Sequence, residues 1–597
     1  RSAVASALGG LRWTEAIARI LPLLSDPDRY VRMAAAEAIG NIGEMASAPP
    51  LAKALGDPDR DVRKMAGRAL LRMREKAFAA LLDALADPVA AEPAQEIFLE
   101  IGEKAIPVLI EGISRPEIRP RAAETLGKMP ERKGLLPLLD VAESAEKPVR
   151  IAAIHILGKA KERRACERLV KILHDADSEI REASEASLVE IGEGSIYPLV
   201  LALEDVSIRK IACRTLVSIG DKATPALVDA LQERSVRAMA AVALGRIGEK
   251  KCIPNLVENF RSSDVEVRVL TADALGRLED ERGIDPLAKI LSTDPDLEVR
   301  RQAALGLGRI GGESAAKHLV KILPDPDLVA SAIRALTPIG EIAVPILLET
   351  LRDSASMPGA VRALIEIGDP SVEPLLGKLK DPEIELPVVR ALIGLRDKSV
   401  PGLVEALKDK STVQAAIIAL EGIGEVATPE VAEALQDPFA GPGAAEALGR
   451  IRDPRPSEPL VEALRLRLVR PAAEDALVSI GEPAIPVLLE SLRYPDLRLL
   501  VIAPLARIGG TAVPALIDFL KAEEREAACA AASVLGRIGD LRGIPYLIEG
   551  LSDEALRPWS VKALIEVGAN AVPALEEALK DKAVRVYAAE ALGGIGS

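Results

Sequence analysis

One short phrase returns about twenty times along this chain of 597 residues. Each copy contains Ile-Gly, often followed by Glu, then a short apolar segment with a Pro near its start, an Asp-rich turn, and Val-Arg before an Ala-rich segment; residues 101–109 and 480–488 are two closely matched starts. The copies follow one another at intervals of about 28–33 residues, the length typical of a helical repeat. The sequence therefore predicts an all-α fold, an α-solenoid or superhelix of about twenty helix–turn–helix units.

Each part of the phrase has a physical reason. A Gly after an apolar helical segment, such as Gly102 or Gly481, adopts the left-handed backbone that ends a helix. A Pro such as Pro107 is tolerated in the first turn because its missing N–H has no partner there. In Asp26–Asp28 the Pro favours a turn, and the second Asp can cap the next helix. The second helix of that unit then presents one apolar stripe, formed by Val31, Ala34, Ala35, Ala38, Ile39 and Ile42.

The phase of the repeat is never interrupted by a linker, so we predict one continuous domain over residues 1–597. Its Ile-Gly marker is degenerate in some units, at Met73, Pro130, Ala160, Arg396 and Arg452.

Two irregular places, Ser356–Gly359 and Phe439–Gly443, begin a second helix with Pro-Gly. Because Pro-Gly shortens a helix start, we expect short second helices and a kinked segment at 355–445 that shapes a binding surface, although a tolerated irregular repeat accounts for the same pattern. Neither end carries the polar capping unit usual in such arrays. Either the natural protein continues beyond this chain, or its ends stack on another subunit.

Composition disfavours several classes of function. Hydrophobic residues make up 49% of the chain but aromatic residues only 2%, which leaves few side chains to stack on bases or flat cofactors. The formal net charge of −14 repels a phosphate backbone, so nucleic acid is disfavoured except at a local basic stripe. No cofactor is predicted.

The four cysteines, Cys166, Cys213, Cys252 and Cys529, are dispersed and are predicted to be buried free thiols. Such usage fits a reducing, cytoplasmic location. No apolar run approaches the roughly 20 residues of a membrane span.

The chemistry of an active site is not visible. Of the three histidines, His174 alone has nearby carboxylates, on Asp175 and Asp177, and the capping role of Asp-rich turns already explains that pattern. We therefore predict no metal, no catalytic residue and no enzymatic activity.

Two sets of arginines recur. Those of the Val-Arg phrase, such as Arg32, are expected to pair with turn aspartates of neighbouring units and fix the stacking. A second set, Arg246, Arg277 and Arg309, occupies the residue before the terminal Ile-Gly or its equivalent in three consecutive units. Equivalent positions should lie one per unit at about 10 Å steps. We predict this set as a basic row for an acidic protein partner; the alternative is that these side chains only cover an Ala-rich helix end.

Residues Val236–Gly248 and Val299–Gly311 carry the phrase Val-Arg-x-x-Ala-Ala-x-Ala-Leu-Gly-x-Ile-Gly or a close variant. This phrase resembles the HEAT-like repeat of the phycobilisome-lyase type, and the resemblance covers essentially the whole chain. It implies a relationship to prokaryotic scaffolding or adaptor proteins, to bilin-chromophore lyases and to deoxyhypusine hydroxylase. The paired His-Glu motifs of that hydroxylase are absent, since no His here is followed by Glu.

Three functions stay open on these grounds. The first is a non-enzymatic scaffold or adaptor that binds a protein partner along a concave face. The second is a cofactor- or chromophore-handling lyase or chaperone that resembles the bilin lyases. The third is a protein that binds a nucleic-acid backbone.

Overall fold

The computed structural model describes residues 1–129, 135–521 and 525–596. Within these ranges the protein consists of α-helices and short 3-10 segments, without a β-strand. The helices form twenty hairpins, in which even-numbered helices come first and odd-numbered helices second, preceded by one additional second helix. This confirms the predicted all-α solenoid of about twenty units.

The first helices of the hairpins are α2 (Ile17–Ile20), α4 (Ala48–Ala54), α6 (Phe78–Ala84), α8 (Ile106–Ile113), α10 (Leu138–Ser144), α12 (Cys166–Ile172), α14 (Glu193–Leu201), α16 (Thr224–Ala230), α18 (Ile253–Glu258), α20 (Ile284–Thr293), α22 (Gly312–Val320), α24 (Val344–Thr350), α26 (Val372–Gly377), α28 (Val400–Ala406), α30 (Thr428–Glu433), α32 (Ser457–Ala463), α34 (Ile485–Ser491), α36 (Val513–Leu520), α38 (Ile544–Gly550) and α40 (Val572–Ala578).

The second helices are α1 (Ser2–Gly10), α3 (Arg29–Ile42), α5 (Arg60–Met73), α7 (Ala91–Ile101), α9 (Arg119–Lys128), α11 (Lys147–Lys159), α13 (Ser178–Ile191), α15 (Arg209–Ile219), α17 (Arg237–Ile247), α19 (Val265–Arg277), α21 (Leu297–Ile310), α23 (Val329–Leu336), α25 (Met357–Ile367), α27 (Glu385–Leu395), α29 (Val413–Ile423), α31 (Gly441–Ile451), α33 (Arg470–Ile480), α35 (Arg498–Ile508), α37 (Arg525–Ile538), α39 (Arg557–Val567) and α41 (Arg585–Ile595).

The chain divides into two compact units, residues 1–306 and residues 307–597. The first contains α1 to α20 and most of α21, and the second contains α22 to α41. The division falls inside α21 and not in a linker. The single continuous domain over 1–597 stays a prediction.

Second helices end where one residue takes a left-handed backbone. Gly43 follows α3 with φ 69°, and Arg452 takes the same place after α31 with φ 59°. In two units with degenerate markers this residue lies one position later than expected, at Arg74 after Met73 and at Lys161 after Ala160. The marker predicted at Pro130 lies outside the described residues.

The buried core lies between neighbouring hairpins. Second helices pack on the second helices of adjacent repeats, and first helices pack on first helices. The stripe predicted on α3 is buried, except that Ile42 is half-buried. Stacking therefore buries surface that no hairpin could bury alone.

Glycines set the closest contacts between second helices. A Cβ atom on Gly40 of α3 would lie 2.5 Å from the Cβ of Ala69 in α5. A Cβ on Gly245 of α17 would lie 2.6 Å from the Cα of Ala274 in α19. Only Gly permits this approach, and a residue such as Val217 at the same position of α15 requires a wider separation.

The turns between the two helices of a hairpin are of two types. In the first type, here called double-cap, two Asp residues each accept a backbone N–H. The first, two residues before the N-cap, accepts the N–H of the N-cap Asp, as Asp26 Oδ1 does from Asp28 at 3.0 Å. The second is the N-cap itself and accepts an N–H of the helix, as Asp28 Oδ1 does from Tyr30 at 2.7 Å. The turns at residues 26–28, 57–59, 175–177 and 294–296 share this arrangement. The second helices that follow them, α3, α5, α13 and α21, have 14 residues each.

In the second type, here called single-cap, one Asp serves the whole turn. Asp409 accepts the N–H of Ser411 at 2.9 Å with its carboxylate and the N–H of Val413 at 2.9 Å with its carbonyl. The turns at residues 205–209, 353–357, 409–413, 437–441, 553–557 and 581–585 share this arrangement. The second helices that follow them have 11 residues.

The turn type also explains the two irregular places. Helices α25 and α31, which begin with Pro-Gly, have 11 residues, the same length as α15 and α29, which do not. Attributing their short length to the Pro-Gly pairs was therefore wrong. A kink at 355–445 stays a prediction.

The predicted ladder of arginines and turn aspartates is confirmed at double-cap turns. Arg32 binds the Asp57 carboxylate of the next repeat with two nitrogens, at 2.8 and 3.0 Å, and it donates to the carbonyl of Asp26 in its own repeat at 2.9 Å. Arg268 binds Asp294 in the same way, at 2.7 and 3.1 Å. Arg150 and Asp175 form a third pair.

Other arginines of the Val-Arg phrase serve their own repeat. Arg181 donates to the carbonyl of Asp175 at 2.7 Å, and Arg237 donates to that of Leu231 at 2.6 Å. For these the expected pairing across repeats is replaced by capping of the preceding first helix, whose last carbonyls otherwise lack partners.

Among the described residues one helical stretch, Val329–Thr350, is long and apolar enough to cross a membrane, and half of it is buried in the protein. Its backbone breaks at Gly340, with φ 62° and ψ −130°, so it is the end of one hairpin and the start of the next. The pair Arg498–Thr511 and Val513–Leu520 meets the same criterion only when joined, and it bends by 119°.

Candidate partner-binding surface

The exposed residues of the second helices recur at equivalent positions. The second helices pack on second helices of neighbouring repeats and on their own first helices, which leaves a narrow face toward solvent. In α25 this face consists of Pro358, Arg362 and Glu366, four residues apart. We number these positions from the left-handed residue that ends the helix: the end position lies two residues before it, the middle position six and the start position ten.

The arginines predicted as a basic row occupy end positions. Arg246, Arg277 and Arg309 are all exposed, as predicted, the first two in the first compact unit and Arg309 in the second. Arg246 has no ion pair or side-chain hydrogen bond to any described residue. Arg277 instead binds Asp273, one turn earlier, at 2.7 Å. Part of the charge of this set is thus neutralised within the protein.

The arginines at end positions lie next to glycines that form the close contacts between second helices. Gly245 precedes Arg246 and Gly276 precedes Arg277, and both glycines pack directly on the next second helix. Where a larger residue replaces the Gly, the end position is often acidic or a Ser, as in Val189-Glu190 and Val217-Ser218. The long apolar stem of an Arg can cover the edge of such a close contact, which agrees with the alternative that these side chains shield an Ala-rich helix end.

A second basic set occupies middle positions and was missed by the sequence analysis. Arg334, Arg362 and Arg390 lie on α23, α25 and α27, three consecutive second helices that pack on one another within residues 307–597. All three are exposed, and none forms an ion pair or side-chain hydrogen bond within the described ranges. We call them the middle row.

Several equivalent arginines elsewhere are neutralised. Arg214, at the middle position of α15, binds both carboxylate oxygens of Glu185 on α13. At end positions, Arg450 binds Glu446 at 2.8 Å and Arg507 binds Asp475 at 2.7 Å. The middle row therefore differs from these arginines in what the neighbouring helix supplies, not in its own geometry.

A sequence signal for the middle row existed. The tripeptide Arg-Ala-Leu begins at residues 334, 362 and 390, with a spacing of 28 residues and an apolar residue before each Arg. These arginines lie one turn before the position next to Ile-Gly, so the predicted basic row did not include them.

Comparison with known proteins identifies the repeat. A family model described as HEAT repeats matches residues 1–70, 17–98, 106–189, 196–268, 253–337 and 485–565, more than half of the chain. The chain belongs to the HEAT-repeat family. A search of curated proteins found no match to this sequence.

Several solved structures give distant matches to this chain. Importin beta crystallised in an ammonium sulfate condition is 15% identical, with 97% of this chain and 99% of that chain covered and a TM-score of 0.31. A structure of Kap95p with RanGDP is 13% identical, with coverage of 98% and 99% and a TM-score of 0.30. A Kap95:Nup1 complex is 14% identical, with coverage of 98% and 89% and a TM-score of 0.31.

In this HEAT-repeat protein, His174 and the nearby Asp175 and Asp177 make structural contacts that account for their pattern. His174 Nε2 lies 3.2 Å from Asp205 and its Nδ1 lies 3.1 Å from Ser207, both in the next repeat. Asp175 pairs with Arg150, and Asp177 caps α13. Across the described residues no group of three or more His, Cys, Asp or Glu side chains could hold a metal ion.

Three of the four cysteines are buried, as the sequence predicted. Cys166, Cys213 and Cys252 are buried, and Cys529 is half-buried. Burial raises the pKa of Cys166 and that of Cys252 to about 11, so both thiols stay protonated at neutral pH. A protonated, buried thiol is a poor nucleophile and packs as a small apolar side chain.

Proposed function

We propose that this HEAT-repeat protein is a non-enzymatic scaffold or adaptor that binds a protein partner along the exposed faces of its second helices. The observation that carries the proposal is the recurrence of arginines at equivalent exposed positions, some of them without any intramolecular partner, on a chain whose net charge is −14. Unpaired arginines on an otherwise acidic surface favour an acidic partner surface and reject basic ones.

The end-position arginines belong to this proposal as contact points. Arg246 is available without rearrangement, whereas Arg277 must exchange Asp273 for a partner's carboxylate. A charged hydrogen bond to a partner replaces one inside the protein, so Arg277 should add specificity and little affinity.

The test is affinity capture of the tagged chain from native lysate, with stoichiometry measured by mass spectrometry. The variant Arg246→Glu/Arg277→Glu/Arg309→Glu is compared with Lys53→Glu/Lys289→Glu/Lys321→Glu, an equal change of charge at exposed residues of first helices or just after them. We expect a stoichiometric partner that the arginine variant loses and the lysine variant keeps. A partner kept by both variants removes these arginines from the proposal, and the absence of any stoichiometric partner contradicts the scaffold.

No observation favours the two alternatives. A lyase or chaperone for a flat chromophore needs clustered aromatic side chains, but Trp13, Tyr197, Tyr494 and Trp559 are exposed in distant repeats. A nucleic-acid binder needs stacking groups or a long basic stripe, and residues 311–438 contain no Phe, Trp or Tyr.

The proposal also includes the type of repeat, the source of the protein and its location. The phrase at Val236–Gly248 supports the phycobilisome-lyase type of repeat and with it a prokaryotic source. The buried thiols of Cys166, Cys213 and Cys252 support a reducing, cytoplasmic location.

A further inference from the structure

We propose that the middle row binds an extended acidic segment of the protein partner, one that carries Asp or Glu at every third residue. This inference rests on the proposed scaffold function and names the site and the chemistry of the ligand. It is argued from the charge of the three helices, the spacing of their arginines and the residues beside them.

The three second helices that carry the middle row have more basic than acidic residues, unlike the whole protein. Helices α23, α25 and α27 contain three arginines and two acidic residues, Glu366 and Glu385, and neither carboxylate pairs with an arginine of the row. On α13 and α15 the same architecture places Glu185 against Arg214. The middle row thus presents three guanidinium groups whose fork of N–H donors fits a carboxylate with two hydrogen bonds.

The spacing of the row selects the conformation of the ligand. Consecutive packed helices lie about 8–10 Å apart, which sets the step between equivalent arginines. A polyproline II segment rises about 3.1 Å per residue with three residues per turn, so every third side chain returns to one face after about 9.3 Å. A β-strand returns to one face after about 6.8 Å. An α-helix with acidic residues three or four apart returns after about 5–6 Å, so neither of these spacings matches.

Small and apolar side chains border the row on one side. The start positions of the same helices are Ala330, Pro358 and Leu386, and the Leu386 side chain is 59% exposed. In the next repeat Ile418 occupies the middle position and is 43% exposed. These residues can contact the apolar or Pro residues that separate the acidic side chains of the ligand, and Ile418 ends the basic row.

The same features distinguish a peptide from a nucleic acid. Proteins that bind single strands combine basic grooves with aromatic side chains that stack on the bases, and residues 311–438 contain no aromatic residue. The row is short and isolated on an acidic chain, so it offers few phosphate contacts. A carboxylate ligand needs only the three guanidinium groups.

The experiment measures binding of fluorescent peptides to the full chain by anisotropy. One peptide has four Glu residues at every third position, separated by Pro and Ala, and a matched peptide has the same composition with Glu at every second position. We expect the first peptide to bind at least about fivefold more tightly and its affinity to fall as salt rises, since exposed charge pairs are screened.

Variants connect that binding to the row. Arg334→Glu/Arg362→Glu/Arg390→Glu should weaken the first peptide by about tenfold or more, because three attractive pairs become repulsive. Arg334→Lys/Arg362→Lys/Arg390→Lys keeps the charge but not the paired donors, so it should cause a smaller loss. The control Lys321→Glu/Lys378→Glu/Lys410→Glu changes the charge equally at exposed residues of the same compact unit and should bind normally. Circular dichroism verifies that each variant is folded.

Three results overturn the inference: no binding of the first peptide, equal binding of both peptides, or unchanged binding by the Arg→Glu variant. Tighter binding of a single-stranded oligonucleotide of equal charge also overturns it and favours a nucleic-acid ligand. Capture from lysate separates this failure from that of the scaffold: if the Arg→Glu variant retains the wild-type partner, the middle row fails and the scaffold stands.

Discussion

Repeats with double-cap turns and repeats with single-cap turns both form ion pairs with their neighbours, but the two kinds of pair differ in burial. Beside the double-cap turn of residues 294–296, Asp294 pairs with Arg268 of the preceding repeat, and these side chains are only 4% and 9% exposed. Beside the single-cap turn of residues 409–413, Asp409 pairs with Lys380 of the preceding repeat at 2.7 Å, and these side chains are 45% and 61% exposed. The first turn thus contains a buried ion pair between repeats, and the second contains an exposed one.

This difference shows that pairing between repeats depends on the turn of the following repeat. A double-cap turn begins its second helix one turn earlier, and its first Asp, such as Asp57 or Asp294, accepts hydrogen bonds from an Arg of the preceding repeat. A single-cap turn begins it later, and an Arg such as Arg557 becomes the first residue of the helix and caps the preceding one. In a solenoid each repeat contacts only its neighbours, so the effects of substitutions are measured best as local free energies of opening by native-state hydrogen exchange.

The largest effect is expected from breaking the buried pair. Arg268→Leu leaves the Asp294 carboxylate buried without its partner and should lower the local stability of α19 and α20 by about 3–5 kcal/mol. Hydrogen exchange of those helices measures it. Arg268→Leu/Asp294→Leu should recover much of the loss; a double variant as unstable as the single one contradicts the stated cause.

The second effect concerns the N-cap of a double-cap turn. Asp28→Ala removes the acceptor of the Tyr30 N–H and should destabilise the start of α3 by about 1 kcal/mol. Asp28→Asn keeps an acceptor oxygen and is the matched control. If both variants exchange equally fast at α3, the turn is held by something other than this cap.

The third effect tests the capping role of arginine at a repeat without the buried pair. Arg237→Ala removes the donor to the Leu231 carbonyl and should destabilise the end of α16 by about 0.5–1 kcal/mol. Arg234→Ala, at an exposed residue of the same turn, should have no measurable effect. A loss of stability in Arg237→Ala as large as that in Arg268→Leu would contradict the distinction between an Arg that only caps a helix and one that pairs across repeats.

The fourth effect is smaller, because the pair between Lys380 and Asp409 is exposed. Lys380→Ala should change exchange in α28 and α29 by no more than about a factor of two, and that change should vanish in high salt. A larger change that persists in high salt would show that this pair connects its repeats as Arg268 and Asp294 do.

The smallest effect is expected from acid. The hydrogen bond from Lys380, with further bonds from Ser411, holds the pKa of Asp409 below its ordinary value. The contribution of Asp409 is therefore fully present above about pH 4, the ordinary carboxyl range, and is lost as pH falls through the lower folded value. Exchange in α29 should depend less on pH over this window in Asp409→Asn, and equal dependence would contradict the assignment.

Much of the fold could be predicted from the sequence because the signals are local. The left-handed residue that ends each helix, the Pro in the first turn and the caps depend on residues within a few positions of one another. The same holds for the exposure of Arg246, which follows from its place on an amphipathic helix. Even the ion pair of Arg277 with Asp273 joins residues four positions apart and could have been read from the sequence.

The sequence alone predicts the repeat, the class of fold and the helix ends, since each follows from backbone preferences over a few residues. The tertiary structure decided which charges are neutralised. Arg214 meets Glu185 and Arg268 meets Asp294 across 29 and 26 residues, and only the stacking of helices brings those side chains together. Arg334, Arg362 and Arg390 belong to the same pattern in sequence, but the neighbouring helices supply no carboxylate to them. Whether an arginine is a structural element or a binding group is set by its neighbour in space.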